Sequence, residues 1–292
     1  MNNEFTLDEY VEIINKYLDE SIPECSFGEK IVHDAMKYSL SIGGKRIRPV
    51  LTLEFCRLCG GNIYDALPFA CALEMVHTYS LIHDDLPCMD DDDMRRGMPS
   101  CHIKFGEEYA LLAGDGLLTR AFGLMTESKV SPEAIVKAVS LLSELSGANG
   151  MIGGQVVDLM NEDRPCTIDV LETMDSLKTG ALIRCAALLG VISAGGSDTQ
   201  YKAAEIFASN LGHAFQIVDD ILDVIGDEKE LGKPIGSDKV SGKSTYVSML
   251  GLEKSQIYAE ELTDKAVGAL EIFGTEADFL KKLAIKLINR KN

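Results

Sequence analysis

Apolar residues return at a period near 3.6 along nearly the whole chain, and alternating, strand-like stretches are few. That pattern predicts helices over about 7–20, 28–42, 46–60, 65–86, 104–126, 132–149, 168–191, 198–225, 244–270 and 275–289. The breaks fall at Gly43-Gly44, Gly60-Gly61-Asn62, Pro87, Pro99, Gly153-Gly154, Pro165, Gly195-Gly196 and Pro234, where glycine and proline punctuate the pattern. There is no long linker and no low-complexity segment. The expectation is one all-α domain over residues 1–292. A chain of 292 residues buries roughly three quarters of its unfolded surface, so the core needs no covalent staple.

Charge narrows the partners. The formal net charge is −18, which sets the chain against nucleic acid and anionic membrane. An anionic substrate would also be repelled unless metal ions or local basic groups intervene. Eight cysteines lie scattered, mostly in apolar runs, which reads as reduced thiols in a cytoplasmic protein. Cys56-x-x-Cys59 has no second pair at zinc spacing and reads as helix packing. The N-terminal "MNNEFTLDEYVEIINKY" is acidic and amphipathic, unlike a signal peptide. The longest apolar stretch, 179–196, is interrupted by Arg184, so a core helix is expected there and no membrane span.

Two segments echo each other. "EMVHTYSLIHDDLPCMD" (74–90) and "NLGHAFQIVDDILD" (210–223) are each an apolar helix ending in paired aspartates, about 135 residues apart. In the second, Gly212, Gln216, Asp219 and Asp223 form one small or polar stripe on an oily helix. In the first, His77, Ser80 and Asp84 share a stripe, and Pro87 disturbs the helix, so a bulge is needed to bring Asp90 beside Asp84. Carboxylates crowded near a core repel one another, and a divalent cation relieves both repulsion and desolvation. The donors are hard oxygens, which suits Mg²⁺. Asp91–Asp93 read equally well as an exposed acidic run, and the central glycine and closing glutamate of an EF-hand are missing.

Cations gather at "SIGGKRIRPVL" (41–51), with Lys45, Arg46 and Arg48 behind a glycine turn, and at Arg95-Arg96 directly after the acidic run. Glycines let backbone N–H groups approach an anion, and Lys and Arg add charge and fork geometry. Arg95-Arg96 could instead pair with Asp91–Asp93. Lys178-Thr179, Lys233, Lys239 and Lys243 follow; "SDKVSGKSTY" fails as a Walker A loop on spacing and on the helix before it. One diphosphate could be held by aspartates through Mg²⁺ and a second by Lys and Arg directly. No Ser-His-Asp or Cys-His arrangement competes as a nucleophile.

Taken in order, "GGKRIRP" (43–49), "LIHDDLPCMDDDDMRRG" (81–97), "GGQ" (153–155), "KTG" (178–180), "QIVDDILD" (216–223) and "LGKPIGSDKVSGKSTY" (231–246) resemble the motifs of the trans-isoprenyl diphosphate synthases, and of bacterial farnesyl diphosphate synthases above all. The resemblance covers nearly the whole chain. It implies a large helical bundle around a deep central cavity, usually a homodimer, and a Mg²⁺-dependent head-to-tail condensation of isopentenyl diphosphate with an allylic diphosphate. By resemblance, Asp84, Asp90 and Asp219 would hold several Mg²⁺ ions on the allylic diphosphate, with Asp223 acting directly or through water. Arg95, Lys178 and Lys233 would grip the same group. Lys45, Arg48, His77 and Arg96 would bind isopentenyl diphosphate, and Thr179 and Gln216 would lie near the developing carbocation. The released diphosphate would take the final proton.

Chain length turns on Tyr79 and Ser80, five and four residues before Asp84. By the same resemblance a bulky tyrosine there acts as a floor under the growing tail, which points to a C15 product; a C20, geranylgeranyl-type product is the alternative. Met75 and Val76 lie a turn deeper. Two rival readings make different demands on the sequence. A class I terpene cyclase would normally lack the GGKRIRP turn and carry a different second metal motif. A non-catalytic subunit of the same fold should have lost site groups, and none is lost here.

Overall fold

The computed structural model describes residues 5–161, 164, 166–225 and 244–289. In chain order the helices are α1 (Leu7–Ser21), α2 (Lys30–Ser41), α3 (Ile47–Leu58), α4 (Ile63–Asp84), α5 (Cys101–Phe105), α6 (Glu107–Met125), α7 (Pro132–Ser146), α8 (Met151–Asn161), α9 (Ile168–Asp175), α10 (Ala181–Ser193), α11 (Asp198–Ile225), α12 (Tyr246–Leu250), α13 (Leu252–Ala269) and α14 (Asp278–Ile288). The only sheet among the described residues is a hairpin of β1 (Met94–Arg95) and β2 (Met98–Pro99). The all-α class expected from the periodicity is what the chain adopts.

Two helices organise the rest. α4 is apolar on every side and is buried along most of its length, packed by α3, α6 and α10, as expected of a central helix. α11 spans 28 residues, about 42 Å at 1.5 Å per residue, and lies between α10 and α13. One core runs from Tyr10 and Ile14 through α3, α4, α6 and α10; a second, smaller one joins the end of α11 to Tyr246 and α13. The stretch Ile168–Ser193 is long and apolar enough to cross a membrane, yet 61% of its most apolar 18-residue window is buried inside the fold, the mark of a core element. Cys56 and Cys59 sit at the end of α3, one buried and one half-buried.

Several expected boundaries move. Gly106 (φ +98) divides the helix expected over 104–126 into α5 and α6, and Gly251 (φ +85) divides the one over 244–270 into α12 and α13. The helix expected over 168–191 is interrupted by a π-helical turn, Ser176–Gly180, and the last expected helix begins only after a 3₁₀ segment, Leu270–Ala277. The break expected at Gly153-Gly154 is wrong: both glycines lie inside α8. The reason is steric. A Cβ at Gly154 would come within 2.2 Å of the Lys178 backbone nitrogen, so the glycine lets α8 press against the π-helical turn and ends nothing.

Candidate active site

The first wall is the end of α4. Past Leu86 the chain doubles back: the Asp90 amide donates to the Asp84 carbonyl at 2.9 Å and the Asp91 amide to the Leu86 carbonyl at 3.2 Å. The bulge required by the spacing is present, and it sets Asp90 beside Asp84. Burial raises the pKa of Asp84, Lys178 opposes that rise, and Asp90 adds to it. Gln155 of α8 donates to Asp84 Oδ1 at 2.5 Å. Asp85 is buried and ion-paired with Arg95, which also reaches Asp92 at 3.4 Å.

The second wall is the π-helical turn, a local geometry common at functional sites. Lys178 Nζ lies 2.6 Å from Asp158 Oδ2 and 4.0 Å from Asp84 Oδ2. Burial works against its ammonium, but Asp84 and Asp158 outweigh it and the pKa is raised. Thr179 donates to Gln216 Oε1 at 3.2 Å, Gln216 to Asp220 Oδ1 at 3.2 Å, and the Tyr246 amide to Asp220 Oδ2 at 2.8 Å. A bonded chain thus links the π-helical turn, α11 and the start of α12. Asp223, one helical turn beyond Asp219, is buried.

Between these walls and the glycine turn lies a cavity of about 620 Å³. Lys45, Arg48, His77 and Arg96 line it on one side, Thr179, Gln216 and Asp219 on another, and Ile183, Leu211, Phe215 and Leu287 supply apolar surface. Arg48 Nη1 is 3.4 Å from His77 Nε2. Burial first, then Arg48 and Arg96, push the His77 pKa well below its usual value, so the imidazole is neutral near pH 7. Arg48 Nε is buried and finds no acceptor among the described residues, an unmet donor suited to an anion. Arg96 donates to the Gly43 carbonyl and lies against Gly44 (φ +123), where a Cβ would fall 2.5 Å from Nη1. Arg96 and Gly97, at φ +53 and +75, form the tight I′-type turn of the hairpin. Among the described residues the non-glycine positive-φ positions are Arg46, Asp91 and Arg96, all at the rim of this site, and such backbone strain gathers where function requires it.

Among the described residues no three carboxylate, imidazole or thiolate groups converge on one point. The turn after α4 sets the Asp84 and Asp90 carboxylates side by side, and Mg²⁺ is typically held by one or two carboxylates with phosphate and water completing its shell. The hard oxygens of Asp84 and Asp90 on one side and of Asp219 and Asp223 on the other could hold it.

Residues 29–276 match the sequence pattern of the polyprenyl synthetase family. The chain belongs to that family. As a polyprenyl synthetase it is a prenyltransferase, of a family generally dependent on Mg²⁺. It is 44% identical over 289 residues to the geranylgeranyl diphosphate synthase of Cyanophora paradoxa, covering 98% of this chain and 96% of that one. It is 46% identical over 259 residues to the farnesyl diphosphate synthase of Micrococcus luteus, covering 89% of each. The geranyltransferase of Helicobacter pylori, solved in complex with magnesium and isoprenyl diphosphate, superposes with a TM-score of 0.85 at 32% identity, covering 97% of this chain and 95% of that one.

Within this polyprenyl synthetase the cavity collects Lys45, Arg48, His77, Arg96, Thr179, Gln216 and Asp219, while Asp84, Asp90, Arg95 and Lys178 cluster at the end of α4. Tyr79 and Ser80 do not line the cavity. Tyr79 is buried with its ring edge on His83, and the Ser80 hydroxyl donates to the His77 carbonyl. Lys233, with Lys239 and Lys243, lies outside the described residues. Sequence reasoning assigned nothing to Asp158 or Asp85. Asp158 was hidden because its helix was read as broken, although its position three residues after Gln155 places both on one face of α8.

Proposed function

We propose that this prenyltransferase condenses isopentenyl diphosphate with dimethylallyl and geranyl diphosphates to give farnesyl diphosphate. The observation that carries the reaction is a cavity with an unmet Arg48 donor among cations on one side and Thr179, Gln216 and Asp219 on the other, next to the cluster in which Asp84 and Asp158 bracket Lys178. Asp84, Asp90, Asp219 and Asp223 would hold Mg²⁺, which would supply positive charge to offset that of the allylic diphosphate as leaving group. Lys178 and Arg95, already oriented by Asp158 and Asp85, meet the charge that builds on the leaving group, and Lys233 joins them. Lys45, Arg48, His77 and Arg96 hold the second diphosphate so that its double bond faces the cation. Thr179 and Gln216 present hydroxyl and amide dipoles beside that cation, and the apolar wall of Ile183, Leu211, Phe215 and Leu287 excludes water that would quench it. The departing diphosphate removes the proton.

A C15 product is supported by Tyr79, a bulky ring buried on α4 just before the aspartates. The geranylgeranyl diphosphate synthase among the relatives supports a C20 alternative. Incubation of the purified protein with Mg²⁺ and both substrates, followed by product sizing, decides between them: mainly C20 or longer products overturn the farnesyl assignment. We further read the chain as one domain, cytoplasmic and homodimeric. The dimer is supported by the exposed apolar stripe Ile152, Val156, Leu159 and Met160 on α8 and by Leu111 and Leu112 on α6. Light scattering giving a monomer mass would remove it.

A further inference from the structure

The cavity lined by the basic cradle contains an acid. Glu74, three residues before His77 on α4, lines the same space as Lys45, Arg48 and Arg96, and is buried. An unpaired carboxylate there would oppose the binding of any anion. It is not unpaired: its Oε1 lies 2.8 Å from Arg46 Nη1, and both side chains are only 3% exposed. Arg46 Nε donates to Asn15 Oδ1 of α1 at 2.9 Å and Nη2 to the Leu40 carbonyl of α2. One guanidinium therefore ties the turn to three helices. Its backbone is in the left-handed region (φ +50), directly between Lys45 and the first turn of α3 that carries Arg48. Of the three cations in "KRIR", the middle one is buried and turned toward α1, α2 and α4.

We propose that the Arg46–Glu74 pair is a positioning element for the second diphosphate: it fixes the turn so that Lys45 and Arg48 face the cavity, while its own charges cancel. This rests on the assignment of that cradle to isopentenyl diphosphate. Arg46 holds the backbone where a side chain is otherwise strained, and Glu74 supplies the counter-charge that keeps four clustered cations from repelling one another apart. Glu74 also acts on its neighbours, since its charge favours the protonated forms of Arg48 and Arg96.

Two variants test the pair. Glu74→Gln keeps shape and removes charge; Arg46→Met/Glu74→Leu removes both charges and refills the space, an exchange that buried pairs often tolerate. Glu74→Gln should raise the KM for isopentenyl diphosphate about tenfold, equivalent to one step of affinity, and leave the KM for geranyl diphosphate within about twofold. The double variant should recover the melting temperature but keep the raised isopentenyl KM. Inorganic diphosphate titrated into the metal-free protein reads the cradle without turnover, because the aspartate side repels a free anion; its Kd should rise about tenfold in both variants. Unchanged isopentenyl KM and diphosphate Kd overturn the proposal. So does a double variant that regains both melting temperature and KM, or a parallel rise of both KM values. If wild-type protein fails to condense the two substrates while the diphosphate Kd still responds to Glu74, the assigned reaction fails and the positioning role stands.

Discussion

Tyr79 and Asp175 show how much a single buried polar group decides. If Tyr79 is the floor beneath the growing tail, Tyr79→Ala should move the main product from C15 to C20 in a chain-length assay, and an unchanged product profile counts against that role. Asp175 ends α9 just before the π-helical turn and has no hydrogen-bond partner for Oδ2 among the described residues. Burial, followed by the charge of Asp220, pushes its pKa up to about 8; Tyr246 and Lys178 oppose this and Asp158 adds to it. The unfolded carboxyl loses its proton near 4. Between those values the native state binds more protons than the unfolded one, so this group's contribution to stability falls as pH rises. Asp175→Asn should therefore melt close to wild type at pH 4 and several degrees above it at pH 8.5, and a gap that does not change with pH refutes the assignment. Sequence pattern exposed the site aspartates because each closes a polar stripe on an apolar helix. It gave no warning of Asp175, which sits in an ordinary-looking "LETMDSLKTG" neighbourhood and is buried where α9 meets α8, the π-helical turn, α11 and α12.

Among the elements, legibility followed the strength of the apolar repeat. α11 runs from Asp198 to Ile225 as its pattern predicts, since a long apolar stripe outweighs any local signal. α8 was read as a break because paired glycines punctuate most chains. Here Gly154 serves a close backbone approach, and Gln155 and Asp158 reach the site because of it. Gly154→Ala forces a methyl group to within 2.2 Å of the Lys178 backbone nitrogen. Overpacking of this kind costs about 1–3 kcal/mol, and it would displace the π-helical turn. The expected result is a lower melting temperature together with a loss of turnover larger than the loss of stability explains, checked by calorimetry beside steady-state kinetics. The π-helical turn itself could not be foreseen, because its register is set by the contacts of α8 and α11 with it and not by its own residues.

At the scale of the whole molecule, a chain of net charge −18 keeps a local basic cradle next to two carboxylate clusters. Chelation of Mg²⁺ should abolish condensation and leave the melting temperature of the substrate-free protein unchanged, since the core clusters are apolar side chains that offer a cation no ligand. Mg²⁺ with diphosphate should raise that temperature by linkage, about 2.7 kcal/mol of added stability at a hundredfold excess over Kd, and a scan showing no shift would refute the shared site. The hairpin between the two sides has its own consequence. Arg95 and Arg96 are joined by one peptide bond, yet Arg95 is held by Asp85 at the aspartate cluster and Arg96 by Gly43 at the cradle. Under the proposed assignment, then, the two diphosphates sit at opposite ends of a single peptide link, and any displacement of one guanidinium's backbone has to be absorbed by that of the other.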